Sequence, residues 1–182
     1  MICAIDTETT GLNETCCEMI ELAIVGLNKD FSFNGHCYTT RIRPSPIALQ
    51  LMSPEAFEIH RITKEELLMA PTAAQVRTSL LIWKRELTDE KIFPLGHNYI
   101  FDRTYIRKFM GIELYDETFD YHIRDTTNLI TAITDMGSHI PRNLRKACAH
   151  FNIPTQDVHD AEGDARLTAI LYKTLIGLIK LV

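Results

Sequence analysis

Asp6 and Glu8 stand two residues apart in Ile5-Asp6-Thr7-Glu8-Thr9-Thr10-Gly11-Leu12, after the apolar run 1–5. That run reads as a strand, and side chains two apart on a strand share a face. The two carboxylates therefore project side by side. At about 4 Å and an effective dielectric near 20, their repulsion is on the order of 4 kcal/mol. A shared proton, a basic side chain or a bound cation must offset it; taken alone, the pair also fits a solvated strand end. Two later segments add groups of the same kind. His97-Asn98-x-x-Phe101-Asp102 puts an acid one turn into a helix that follows a strand. His159-Asp160-Ala161-Glu162-Gly163-Asp164-Ala165 puts Asp164 in the second turn of a helix, with His159 on the loop just before it. A histidine so placed can swing over a site built partly by Asp164, and its ordinary pKa of about 6.5 suits it to take a proton.

Several elements must hold these residues. Residues 1–5, 19–27 and 31–42 read as three strands in quick succession, an antiparallel meander ended by Pro44 and Pro46. Ser53-Pro54-Glu55 offers a helix cap with proline at the first helical position. Thr63-x-x-Glu66 and Thr72-x-x-Gln75 fit the capping box. The second box leads into Val76, Leu80, Trp83 and Leu87 at helical spacing, where Trp83 reads as core. Residues 91–96 read as a fourth strand. Asn98 follows as the cap of a helix that ends at Gly111. Residues 121–124 read as a fifth strand, and Asp125 as the cap of a helix ending at Gly137. Residues 141–151 read as a helix opened by Pro141, and a last amphipathic helix runs from around 160 to about 180. This order predicts an α/β fold: a mixed sheet with an antiparallel meander, plus parallel strands joined by helical crossovers.

One chain of 182 residues, 46% of them hydrophobic, fits a single domain over 1–182 with a real core. No apolar run reaches the ~18 residues of a membrane span, and the N-terminus lacks a leader pattern. The expectations are no membrane partner and a cytoplasmic location. Five cysteines, an odd number without Cys-x-x-Cys, argue against a disulfide framework and a zinc site. Cys3 reads as a small buried side chain; Cys16-Cys17, in the loop after Gly11, has no functional account. A net charge of −5 and a pI near 5.8 exclude a broad electrostatic grip on duplex nucleic acid. They do not exclude a nucleic-acid enzyme whose positive charge comes from metal.

Taken together, Asp-x-Glu-Thr-Thr-Gly at 6–11, His-Asn-x-x-Phe-Asp at 97–102 and His-x-Ala-x-x-Asp-Ala at 159–165 resemble the three motifs of DnaQ-like 3′→5′ exonucleases of the DEDDh class. That family includes the proofreading epsilon subunit of bacterial DNA polymerase III. A further segment, Pro54-Glu55-Ala56-Phe57 to His60-Arg61-Ile62-Thr63, is similar to the family's His-Gly-Ile-Thr region, with Arg61 where glycine is usual. The likeness covers about residues 2–175.

The resemblance implies the ribonuclease H-like exonuclease fold, a five-stranded mixed sheet with helices on both faces. It implies that Asp6, Glu8, Asp102 and Asp164 hold two divalent metal ions, Mg²⁺ or Mn²⁺, and that His159 is the general base. It implies substrate contacts from Thr9, Thr10, Gly11 and Leu12, with Leu12 wedged between bases, and from His60, Asn98 and Phe101. Asn98 and Phe101 also have bland roles open to them, a helix cap and core packing. The chemistry is coherent: hard divalent cations take oxygen ligands, and two of them can serve phosphodiester hydrolysis. The expected partner is the 3′ end of a single strand, DNA by the weak lean of Thr-Thr-Gly, with RNA as the alternative, and beyond it a DNA polymerase or replication complex. The rival from another class is a non-catalytic polymerase-associated binding module; the intact carboxylate set and His159 argue against it. Asp160 and Glu162 have no matching role; Arg103, Arg107 and Lys108 form a small basic cluster that could meet substrate phosphates but reads first as a solvated helix face.

Overall fold

A computed structural model describes residues 1–155 and 159–179. One five-stranded sheet lies at the centre, in the order β3-β2-β1-β4-β5. β1 (Ile2–Thr9), β2 (Met19–Leu27) and β3 (Phe33–Arg41) form the antiparallel meander, and β4 (Phe93–Gly96) and β5 (Arg124–Asp125) join it in parallel. β1 extends past its apolar opening and carries both Asp6 and Glu8 inside the strand. Its pairing with β2 holds through Glu8 opposite Glu21 and shifts only between Glu8 and Thr9.

Between β3 and β4 come α1 (Pro46–Gln50), α2 (Pro54–His60), α3 (Lys64–Met69) and α4 (Ala73–Leu87). After β4 come α5 (Tyr99–Met110) and α6 (Ile112–Thr118); after β5 come α7 (Thr126–Asp135), α8 (Leu144–His150) and α9 (Ala161–Ile179). Ser53 caps α2 behind Pro54, and both capping boxes form, Thr63 with Glu66 and Thr72 with Gln75.

Several boundaries differ from expectation, each for a local reason. The third strand starts at Phe33 because Phe31 sits in a turn at φ 64°, its N–H bonded to Asn28 O. The fifth strand is only Arg124–Asp125, since Asp120 turns the chain back by accepting the His122 N–H. The helix expected from 141 begins at Leu144, because the Asn143 side chain accepts the Lys146 N–H and leaves Pro141 outside. α1 and α6 were not anticipated; five and seven residues are too few for a periodicity to register. Asn98 occupies the cap position of α5 at φ 63° but makes no side-chain cap bond. Asp125 does that work: its carboxylate accepts the N–H groups of Asn98 (3.1 Å) and Tyr99 (2.7 Å), and also that of Thr127 (2.8 Å) at the start of α7. One carboxylate thus caps two helices. The expected end of α9 near residue 180 lies outside the described residues.

The sheet is covered on both faces. Cys3, Ile5, Leu22 and Ile24 pack with Val76 and Leu80 of α4 and with Tyr99, Tyr105 and Ile106 of α5. Ala4, Ala23 and Val25 pack with Ala161, Ala165 and Ala169 of α9, whose small side chains let the helix approach closely. Alternation along β1 then sets the face that each acid occupies. Asp6 and Glu8 share the parity of Ala4 and face α9; Thr7 shares that of Ile5 and faces α5.

Candidate active site

α9 packs across β1 and delivers Asp164 to Asp6 and Glu8. One carboxylate oxygen from each of the three lies within 4.8 Å of the others. Asp102 is not a member of that group: it approaches β1 from the α5 side, where Thr7 Oγ1 donates to its Oδ1 at 2.8 Å. Asp102 and Asp164 are 4% and 7% exposed, and Glu8 9%.

Crowded, buried acids resist ionisation. Burial first, then the neighbouring Asp102, Glu8 and Asp164, push Asp6 well above the usual carboxylate range. Burial, with Asp164 and Glu21 next, raises Glu8 to about 8. Burial raises Asp102 to about 7 against the opposing hydrogen bond from Thr7. Asp164 is raised by burial, while Arg145 and His159 pull the other way. Such a donor set fits hard divalent cations: only oxygen ligands, close enough to share an ion, with a repulsion that positive charge would relieve.

His159 stands just before α9, its Nδ1 3.0 Å from Asp164 Oδ2. Asp160, given no role by the motifs, caps α9 by accepting the Gly163 N–H at 2.7 Å. Three further residues that the sequence reading did not single out also build the site. Glu21, buried on β2, accepts the Ala161 N–H at 2.9 Å and so ties the start of α9 to the sheet. Arg145 of α8 donates from Nη2 to Asp164 Oδ1 at 2.6 Å. Tyr105 donates from its hydroxyl to Gly11 O at 2.8 Å. Only Tyr105 had a signal, one turn after Phe101 on the same helix.

A cavity of about 460 Å³ opens beside the carboxylates. Thr7, Glu8, Thr9, Gly11, Leu12, His60 and Phe101 line it, with Ser53, Glu55, Ala56 and Ile59 of the α2 region. Leu12 is 85% exposed at its mouth. His60 is buried; its Nδ1 accepts the Ile62 N–H at 2.9 Å, and its Nε2 has no partner among the described residues. Burial lowers its pKa to about 4, so the ring is neutral at pH 7. Arg61, in place of the usual glycine, adopts φ 58° at the end of α2. Two of the expected substrate residues do not line the cavity. Thr10 is fully buried and braces the loop, its Oγ1 accepting the Glu18 N–H. Asn98, at the cap position of α5, is exposed to solvent. Cys17 has a structural place: a Cβ on Gly11 would fall 2.9 Å from its Sγ, so the turn closes over the thiol only because residue 11 is glycine.

DNA polymerase III subunit epsilon of Escherichia coli K12 is 29% identical over 191 residues, covering 95% of this chain and 70% of that protein. The subunit of the same name from Buchnera aphidicola is 26% identical over 178 residues, covering 92% and 67%. Among solved structures, E. coli exonuclease I in complex with a dT13 oligonucleotide superposes with a TM-score of 0.78 at 20% identity, covering 99% of this chain and 42% of that one. A zinc-bound form of the exonuclease I–ssDNA complex gives 0.79 at 21% identity, covering 99% and 41%. This chain thus spans about two fifths of the exonuclease I chains and shares their fold. The RNase T exonuclease family model matches residues 3–172. With that match across nearly its whole length, the chain belongs to the exonuclease family.

Proposed function

We propose that this chain is a divalent-cation-dependent 3′→5′ exonuclease that shortens single-stranded nucleic acid, DNA first, and releases nucleoside 5′-monophosphates. One observation carries the reading. Glu8 belongs both to the carboxylate group of Asp6, Glu8 and Asp164 and to the wall of the 460 Å³ cavity, so a nucleotide seated there meets the acids directly. Asp6, Glu8 and Asp164, with Asp102 as the fourth acid, would hold two ions, Mg²⁺ or Mn²⁺. When bound, such ions offset charge on a phosphodiester and make water a better nucleophile.

The chain's own residues do the rest. Phe101 and the exposed Leu12 offer apolar faces for the terminal bases, which stack on such surfaces without regard to sequence. His60 Nε2, neutral and unpartnered among the described residues, offers a hydrogen bond to the sugar or phosphate of the end nucleotide. Gly11 O accepts from both the Tyr105 hydroxyl and Thr9 Oγ1 (2.9 Å), which holds the loop bearing Leu12 against the site. His159 meets Asp164 through Nδ1, leaving Nε2 to take the proton of the attacking water. The relatives named as polymerase III subunits support a polymerase or replication complex as a protein partner.

The test uses 5′-labelled DNA and RNA strands of one sequence, with Mg²⁺ or Mn²⁺ and with chelator. A ladder that shortens from the 3′ end only with metal, faster on DNA, is expected. Faster RNA cleavage would make the chain an exoribonuclease. No cleavage by folded, metal-loaded protein would make it a binding module.

A further inference from the structure

Arg145 lies in the first turn of α8, which packs on α9 through Leu144, Ala147 and Cys148 against Leu167 and Leu171. Its backbone is therefore fixed relative to Asp164. Its guanidinium meets two residues of the site at once: Nη2 donates to Asp164 Oδ1 at 2.6 Å, and Nε lies 3.3 Å from His159 Nδ1. His159 Nδ1 lies 3.0 Å from Asp164 Oδ2; with the proton on Nδ1 it donates there and cannot also accept from Arg145 Nε, so the arginine reaches the histidine through Asp164. Both carboxylate oxygens of Asp164 are thereby oriented, one by each partner. Arg145 and Asp164 are largely sheltered, at 17% and 9% side-chain exposure, whereas His159 is 32% exposed.

His159 most needs such support. Residues 159–160 precede α9 and belong to no helix or strand, so secondary structure does not set the ring's stance. The planar fork of arginine fixes a carboxylate in one geometry, whereas a lysine is a point charge on a flexible stem.

We propose that Arg145 is a positioning residue for the hydrolytic reaction: it fixes Asp164, which accepts the His159 Nδ1–H and so presents the Nε2 edge toward the attacking water. The proposal rests on the exonuclease reading. An ion pair that merely fastened α8 to α9 would stabilise the fold without acting through the histidine.

The experiment is a double-mutant cycle on a 5′-labelled single strand with Mn²⁺: wild type, Arg145→Ala, His159→Ala and both together. Thermal melting follows each, and Mn²⁺ binding is measured by calorimetry. Misplacement of a reacting group by about 1 Å can cost a hundredfold in rate. Arg145→Ala is expected to lower kcat by roughly tenfold to a hundredfold with KM within about twofold. In the His159→Ala background the same change should cost less than about threefold, because its route is gone. Mn²⁺ affinity should hold or tighten in Arg145→Ala, since a cation leaves Asp164. Arg145→Lys, which keeps the charge, covers the case of an unfolded alanine variant and should recover only part of kcat. Wild-type kcat in Arg145→Ala, an equal loss in both backgrounds, full recovery by lysine or Mn²⁺ binding weakened more than about tenfold would overturn the proposal. An inactive wild type would instead sink the exonuclease reading itself.

Discussion

Glu8 and Glu21 face each other across β1 and β2, two buried carboxylates directly opposite on antiparallel strands. Like charges so placed oppose folding. The arrangement persists because each acid has other work. Glu8 faces the cavity, while Glu21 turns to the Ala161 N–H and lies 3.7 Å from Arg41 Nε. Glu21→Gln keeps an acceptor for Ala161 and removes the charge; it should leave stability equal or higher at pH 8. Glu21→Ala abandons that N–H and should cost about 1–3 kcal/mol in urea unfolding, with activity falling as α9 and Asp164 loosen.

Stability without metal should fall as pH rises. Glu8 titrates at about 8 in the fold against an ordinary 4.5, because burial and nearby acids disfavour its charge. A carboxyl raised in this way contributes stability that is complete below its unfolded pKa and lost as pH climbs through the folded one. The window is therefore about pH 4.5 to 8. Chelated protein should lose on the order of 5 kcal/mol across it from Glu8. Saturating Mn²⁺ should flatten the slope, since the cation favours the ionised acids, and should add about 2.7 kcal/mol at a hundredfold excess over Kd. Melting curves from pH 5 to 9, with and without Mn²⁺, check both.

Thr7→Val removes the hydroxyl that donates to Asp102. That bond favours ionised Asp102, so its pKa should move above the present value of about 7. The variant should lose about 1.5–3 kcal/mol at pH 9 and much less at pH 5. The acidic limb of its pH–rate profile should shift upward.

Gly11→Ala forces a methyl to 2.9 Å from Cys17 Sγ. Overpacking of this kind costs about 1–3 kcal/mol. Here it should also displace Leu12 and raise KM for oligonucleotides more than it lowers kcat. Cys17→Ala should relieve the clash in part; no change in KM in Gly11→Ala would contradict the role given to this loop.

Much of the site was legible because its signals are local. Asp6 and Glu8 share a strand face, both capping boxes announce their helices, and Asp125 reads as a cap. What escaped depends on contacts between distant segments. No spacing reveals that Asp125 also caps α5, that Glu21 reaches α9 140 positions away, or that Arg145 fixes Asp164 beside His159. Parity along β1 foretold that Asp6 and Glu8 would act together. That Asp102 would meet Thr7 on the other side followed only once α4 and α5 were seen to cover one face of the sheet and α9 the other.

The most direct test of the carboxylate cluster is 3′ shortening of a 5′-labelled DNA strand in Mn²⁺ by the wild type and by Asp6→Asn, which keeps shape and removes charge. Losing one electrostatic anchor of the transition state should lower the rate on the order of a thousandfold, with the variant folded and melting at or above the wild type in chelator. Wild-type cleavage by Asp6→Asn would contradict the account, because the cluster around Asp6 would then have no part in the reaction.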